Sequence, residues 1–281
     1  MRARIWGCRG SLASPGPETV RYGGNTSCVE VRLDDDTLII LDAGTGIRPL
    51  GNAIMDELPR TIHILLTHLH IDHLEGLGFF GPLWQPDVDL HIWGPPSPLR
   101  SLERRIARYL SPPLFPIHLQ DIPSEPTFHD VPDDAWKVGP AVVTARPVSH
   151  RGPTVGFRLQ ENGQTLAYIP DHEPALGVEL RAVEPEWISG HAVAAGVDVL
   201  LHDAQYTEDE YPLRIGWGHS STAHVAAFAS VCEVRQLVMF HHDPMHTDDQ
   251  LERILARALE LWDGPGNPPV LAYEGMELDL A

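Results

Sequence analysis

Residues 67 to 73 read Thr-His-Leu-His-Ile-Asp-His, so His68, His70, Asp72 and His73 put four potential metal ligands within six positions. They follow an apolar run at 62–66, which reads as a buried strand delivering them to its end. Imidazole nitrogen and carboxylate oxygen suit borderline divalent ions such as zinc, manganese or iron. Alternate residues of an extended chain share a side. His68 and His70 can therefore grip one ion, while Asp72 and His73, past the strand end, face a second. Two coordination shells need more donors than one segment holds, and further candidates stand singly where other apolar runs stop. His150 follows 142–147, Asp171 follows 166–169 and His241 follows 237–240, while Asp42 opens the Gly44-Thr45-Gly46 turn.

The elements that must carry these residues alternate between strand and helix. Strands are expected at 3–7, 28–33 and 37–41, the last two joined by an Asp34-Asp35-Asp36 turn. An amphipathic helix over 47–58 precedes the strand at 61–66. Strand-like runs recur at 90–93, 141–147, 154–159, 165–169, 197–201 and 236–240, with helices at 98–109, 221–232 and 248–262 and a final strand pair over 270–280. This pattern predicts an α/β domain of two mixed sheets with helices outside. No linker divides the chain, so residues 1–281 are expected to form one domain. The proline-rich stretch 81–137 is expected to be a long surface loop, either a lid over the site or a variable connection.

The chain has 281 residues, 43% apolar content and a net charge of −19, with Lys137 its one lysine. So acidic a surface repels polyanions, which argues against duplex nucleic acid as a partner. A small anionic substrate remains compatible, because bound metal ions invert the local potential. No apolar segment follows the basic residues at 2 and 4, and none is long enough to span a membrane, so neither a secretory signal nor a membrane partner is expected. Cys8, Cys28 and Cys232 are odd in number without paired spacing, which fits reduced, buried thiols in a cytoplasmic protein.

Two segments, Leu41-Asp42-Ala43-Gly44-Thr45-Gly46 and Thr67-His68-Leu69-His70-Ile71-Asp72-His73-Leu74-Glu75-Gly76, resemble motifs of the metallo-β-lactamase superfamily. The second half is similar to the ribonuclease Z-like and cyclic-nucleotide phosphodiesterase-like branch. The matching stretches are 147–156, Tyr168-Ile169-Pro170-Asp171, 197–204 and Gly218-His219-Ser220-Ser221-Thr222-Ala223. The resemblance implies a four-layer αββα sandwich with two divalent metals, zinc by default and manganese or iron otherwise, at one edge between the sheets. It assigns His68, His70 and His150 to one ion, Asp72, His73 and His241 to the other, and Asp171 to the bridge. His241 and His242 compete for the last role, and strand alignment favours His241. Asp42 is expected to orient a ligand.

The same resemblance gives Asp72, His219 and Asp203 catalytic parts: Asp72 within the metal shell, His219 at the scissile bond as acid or charge stabiliser, and Asp203 orienting His219. His202, His224 and His246 read as polar packing or surface residues. The implied activity is a dinuclear-metal phosphodiesterase acting on a small phosphodiester such as a cyclic nucleotide, with a homodimer plausible. A thioester, lactone or other carboxylic ester hydrolase is the alternative, and a non-catalytic metal-binding protein the third reading. Transfer-RNA processing fits less well because the chain has no basic run. The glycine-rich segments 6–11 and 21–27 are either a tight connection or a ligand loop, in which Arg9 or Asn25 could bind a phosphate or base.

Overall fold

From the N-terminus the chain forms β1 (Arg2–Gly7), β2 (Cys28–Arg32), β3 (Leu38–Leu41), α1 (Ile47–Ile54), β4 (Thr61–Leu65), β5 (Asp89–Gly94), α2 (Leu102–Ile106), β6 (Thr127–Asp130) and β7 (Trp136–Val138). It continues with β8 (Ala141–Pro147), β9 (Val155–Glu161), β10 (Gln164–Ile169), α3 (His191–Ala194), β11 (Val199–Asp203), α4 (Thr222–Val231), β12 (Gln236–Phe240), α5 (Asp248–Leu261), β13 (Asn267–Leu271) and β14 (Glu277–Asp279). The structure is a computed structural model and describes residues 1–174 and 176–280.

β3 explains the layering. Its four residues are all buried, Ile39 and Leu41 among one apolar cluster and Leu38 and Ile40 among another. A strand apolar on both faces needs cover on both. The same alternation recurs in β10, where Leu166 and Tyr168 face inward and Ala167 and Ile169 outward. The inward sets of the two sheets form one shared core, including Ile5, Leu65, Phe157, Leu201 and Phe240. Outside the first sheet α1 packs through Ile47, Leu50 and Ile54. Outside the second, Val193 of α3, Val225 and Phe228 of α4 and Leu251 and Ile254 of α5 close the other face. The result is the four-layer αββα sandwich.

Each sheet has seven strands, in the orders β14-β1-β2-β3-β4-β5-β6 and β13-β12-β11-β10-β9-β8-β7. In each, an antiparallel half adjoins a parallel half: β3, β4, β5 and β6 run parallel in the first, and β10, β11, β12 and β13 in the second. Parallel strands in register end together, and their carboxyl ends are where open α/β sheets bind ligands. Leu41 pairs with Leu65, so Asp42 and the 67–73 segment leave the first sheet side by side. Ile169 pairs with His202 and Asp203 with Phe240, so Asp171, Asp203 and His241 leave the second sheet from three adjacent strands.

Three expectations need correction. The stretch 81–137 is irregular only in part: it supplies β5 and β6 to the first sheet and β7 to the second, and within the mostly irregular connection between β5 and β6 Leu102, Ile106, Leu110 and Phe115 are buried in the outer core of the first sheet. The helix expected at 98–109 is confined to α2, because the prolines upstream delay it until Ser101, whose side chain accepts from the Arg104 amide and caps it. The strands within 270–280 do not pair with each other, since β13 joins β12 and β14 joins β1 in the opposite sheet. Short α3 carries too few residues for a readable period and was not expected. Among the described residues, no helix is long and apolar enough to cross a membrane.

Candidate metal centre

The side chains expected to share metals converge at that common edge. Ligand atoms of His68, His70, His150 and Asp171 lie within 4.8 Å of one another, as do those of Asp72, His73, Asp171 and His241. Asp171 belongs to both sets. Its Oδ2 is 3.7 Å from His68 Nε2 and 3.6 Å from His150 Nε2, and its Oδ1 is 2.9 Å from His73 Nε2 and 3.2 Å from His241 Nε2. Asp72 Oδ2 lies 3.3 Å from both His73 Nε2 and His241 Nε2. Donors on a tetrahedral ion with bonds of ~2.1 Å sit about 3.4 Å apart, so this spacing suits metal binding. The donor chemistry agrees, because His68 Nε2 and Asp171 Oδ1 are buried with no hydrogen-bond partner. Buried polar atoms are rarely left so.

Four of the five imidazoles are aimed by a bond at the nitrogen away from the centre. His73 Nδ1–H donates to Asp42 Oδ2 at 2.7 Å, His150 Nδ1–H to the Gly218 carbonyl at 2.7 Å, and His241 Nδ1–H to Gln205 Oε1 at 3.1 Å. Thr67 Oγ1–H donates to Asp42, so the same oxygen accepts from His68 Nδ1–H at 3.1 Å. Each acceptor fixes the tautomer that leaves Nε2 with a lone pair for a cation. Asp42 also accepts from the Thr67 amide and the Tyr168 hydroxyl, at 2.7 and 3.0 Å, and so orients the ligand segment without belonging to it. His242 turns away and bonds the Ala272 carbonyl, which leaves His241 as the histidine of that pair in the cluster.

His219 and Asp203 complete the expected set. His219 Nδ1–H donates to Asp203 Oδ2 at 2.7 Å, while the Ser220 and Gln205 amides donate to Oδ1 and the His172 amide to Oδ2. With Nδ1 committed, Nε2 is the free nitrogen of His219. Its ring stacks 5.0 Å from that of His241. Burial lowers the His219 pKa, but Asp203, Asp171 and Asp72 outweigh it and raise the value to about 9. Burial likewise lowers His73, and Asp171, Asp72 and Asp42 together lift it well above the ordinary range. Burial would raise the Asp171 carboxyl, but His241, His73 and His68 hold it well below. Burial pushes His68 well down, reinforced by His73. Three buried carboxylates among five imidazoles thus form an environment that favours cations.

Several functional contacts were not foreseen. The Ser11 amide donates to Asp72 Oδ2 at 2.7 Å, which makes the N-terminal glycine-rich loop part of the site. A Cβ on Gly10 would stand 2.3 Å from His241 Nδ1, and one on Gly218, whose φ is +96°, 2.4 Å from His150 Nδ1. Both positions require glycine for close approach. Glu173 accepts from the Gly216 and Gly218 amides and the Tyr211 hydroxyl, and so fastens the 211–218 strap that precedes His219. The phosphate role considered for Arg9 and Asn25 does not hold. Arg9 is fully buried, donating to the carbonyls of Gly23, Asp243 and His246, and the Asn25 amide group donates to Glu274. Of the remaining histidines, His202 bonds His172 and His246 bonds Glu210, and His224 packs edge-on against Tyr211.

Comparison with known proteins agrees with this fold. The profile of the β-lactamase superfamily domain matches residues 37–242. A ribonuclease Z of Myxococcus xanthus is 24% identical, over 91% of this chain and 92% of its own. The metallo-β-lactamase fold protein YhfI of Bacillus subtilis superposes with a TM-score of 0.71 at 16% identity, covering 99% of both chains. Zinc-bound PqqB of Methylobacterium extorquens superposes with a TM-score of 0.71 at 21% identity, covering 100% of both.

Proposed function

The chain belongs to the β-lactamase superfamily, in the metallo-β-lactamase, ribonuclease Z-like branch, and from that premise we propose that it is a dinuclear-metal phosphodiesterase acting on a small phosphodiester such as a cyclic nucleotide. The observation that carries this reading is the shared carboxylate: Asp171 stands between two otherwise separate ligand sets. His68, His70 and His150 would hold one divalent ion and Asp72, His73 and His241 the other, with zinc the first candidate for so many imidazoles. When bound, two such ions supply Lewis acidity toward the phosphoryl oxygens and ionise water near neutral pH.

What the metals leave undone falls to side chains. The departing alkoxide needs a proton or a positive charge beside it. His219 offers either at Nε2, because Asp203 holds its Nδ1–H and fixes the ring. Asp203 is itself held by three backbone amides, so it stays an acceptor as the imidazole changes charge. A thioester hydrolase has less use for such an arrangement, since a thiolate leaves unprotonated, whereas an ester or lactone also expels an alkoxide and is separated from a phosphodiester by the substrate panel below.

A polynucleotide substrate is the second reading, favoured by the ribonuclease Z relative. The net charge of −19 works against it. The deciding experiment is turnover by the metal-loaded protein of cyclic nucleotides, bis(p-nitrophenyl) phosphate, precursor transfer RNA, and thioester and lactone panels. Hydrolysis of the first two is the expected outcome. Turnover confined to thioesters or lactones would remove the proposal, and selective cleavage of precursor RNA would transfer it to the second reading.

A further inference from the structure

The strap at 211–218 joins a rigid backbone to an exposed apolar edge. Its backbone is pinned from two sides. Glu173 accepts from the Gly216 and Gly218 amides beneath it. Two successive residues after β8 grip its carbonyls: His150 Nδ1–H donates to Gly218 and Arg151 Nε–H to Gly216, each at 2.7 Å. Trp217 lies between the two gripped residues, its amide donating to the Arg214 carbonyl. Yet Trp217 is 55% exposed, and on the same strap Leu213 is 84% and Ile215 50% exposed. A scattered surface leucine needs no explanation. A large aromatic on backbone that also fixes a candidate ligand and the candidate acid is different, because its position relative to the reacting centre is set in advance.

Charge singles out the same place. In a chain of net charge −19, two guanidinium groups attend this strap. Arg151 is tied to Gly216 through Nε, and Arg214 lies 4.8 Å over the Tyr206 ring, which meets His219 edge-on at 5.7 Å. The side-chain bonds these two guanidinium groups make go to backbone carbonyls, of Gly216 and Glu210, rather than to a carboxylate. An occupant with a flat apolar part and an anionic part close together matches both features.

We propose that Trp217 is the stacking platform for a planar aromatic group of the substrate, a nucleobase by its chemistry, with Arg151 and Arg214 favouring the attached phosphate. The proposal rests on the phosphodiesterase reading and adds to it a residue that selects nucleotides over simpler esters.

The test compares two esters with one leaving group, thymidine 5′-(p-nitrophenyl phosphate) and methyl p-nitrophenyl phosphate, on the metal-loaded wild type, Trp217→Ala and Trp217→Phe proteins. Stacking of a base on an aromatic side chain predicts that Trp217→Ala lowers the preference in kcat/KM for the thymidine ester roughly tenfold, chiefly through KM, and that Trp217→Phe keeps most of it. Calorimetric titration with thymidine 5′-monophosphate should show a parallel loss of affinity. If both esters turn over and their ratio is the same in all three proteins, the platform is wrong and the phosphodiesterase reading stands. If neither these esters nor cyclic nucleotides turn over, that reading fails and the platform with it. If Trp217→Ala converts a dimer to a monomer in sedimentation without moving the ratio, the strap is a self-association surface and the proposal is overturned.

Discussion

Asp42 shows how a residue outside the ligand set governs it. Its carboxylate, fully buried and at φ +60°, accepts from Thr67 twice, from Tyr168 and from His73. Asp42→Ala should weaken metal binding by about 10- to 100-fold and cost roughly 2–4 kcal/mol in stability, because several buried donors lose their acceptor. Competitive metal titration and urea unfolding would measure the two effects, and an unchanged affinity would contradict the orienting role. Gly218→Ala should displace the His150 ring and depress both metal content and turnover while far-ultraviolet circular dichroism stays native, since its Cβ has no room and its φ is unfavourable. The ligands themselves were legible because their types are rare at such density and each closes an apolar run. Ser11, Gln205 and Glu173 were not, because their roles exist only through contacts such as that of Ser11 with Asp72, 61 residues apart, and no local pattern announces them.

Among the elements, the parallel halves of the two sheets do the positioning. Strand ends in register bring Asp42 beside Thr67, and Asp171 beside Asp203 and His241, without any loop having to search for the geometry. α5 serves the same end from outside by covering the second sheet. It is stopped at its start by a capping box in which the Thr247 hydroxyl oxygen accepts from the Gln250 backbone amide and Gln250 Oε1 accepts from the Thr247 backbone amide. Thr247→Ala should therefore lower stability by about 1 kcal/mol and leave kcat/KM unaltered. A matching fall in turnover would mean that the helix does more than support the sheet. Helices such as α5 were legible through caps and a sustained apolar face. The strands β6 and β7 were not, since three or four residues of mixed polarity within a proline-rich stretch carry no period, and only pairing with β5 and β8 defines them.

Across the whole molecule, buried histidines make stability depend on pH independently of the metals. Burial, first among the causes, lowers His63 and His202 to about 4 and His242 to about 3 from an ordinary value of 6.5. Below 6.5 the unfolded chain takes up protons that the native one refuses, so stability should fall as pH drops from 6.5 towards 4. His73 and His219 are raised, so their contribution is already complete below 6.5 and does not offset the loss in that window. Urea midpoints of chelator-treated protein at about pH 6.5 and about pH 5 should differ in that direction, and equal midpoints would refute the sign. The central claim, however, is that the common edge of both sheets holds a pair of cations about one carboxylate. Anomalous diffraction from metal-loaded crystals, recorded above and below the zinc edge, tests it most directly. The account predicts two anomalous peaks per chain roughly 3.5–4 Å apart, one on either side of the Asp171 carboxylate. A single peak, or peaks remote from Asp171, would contradict it.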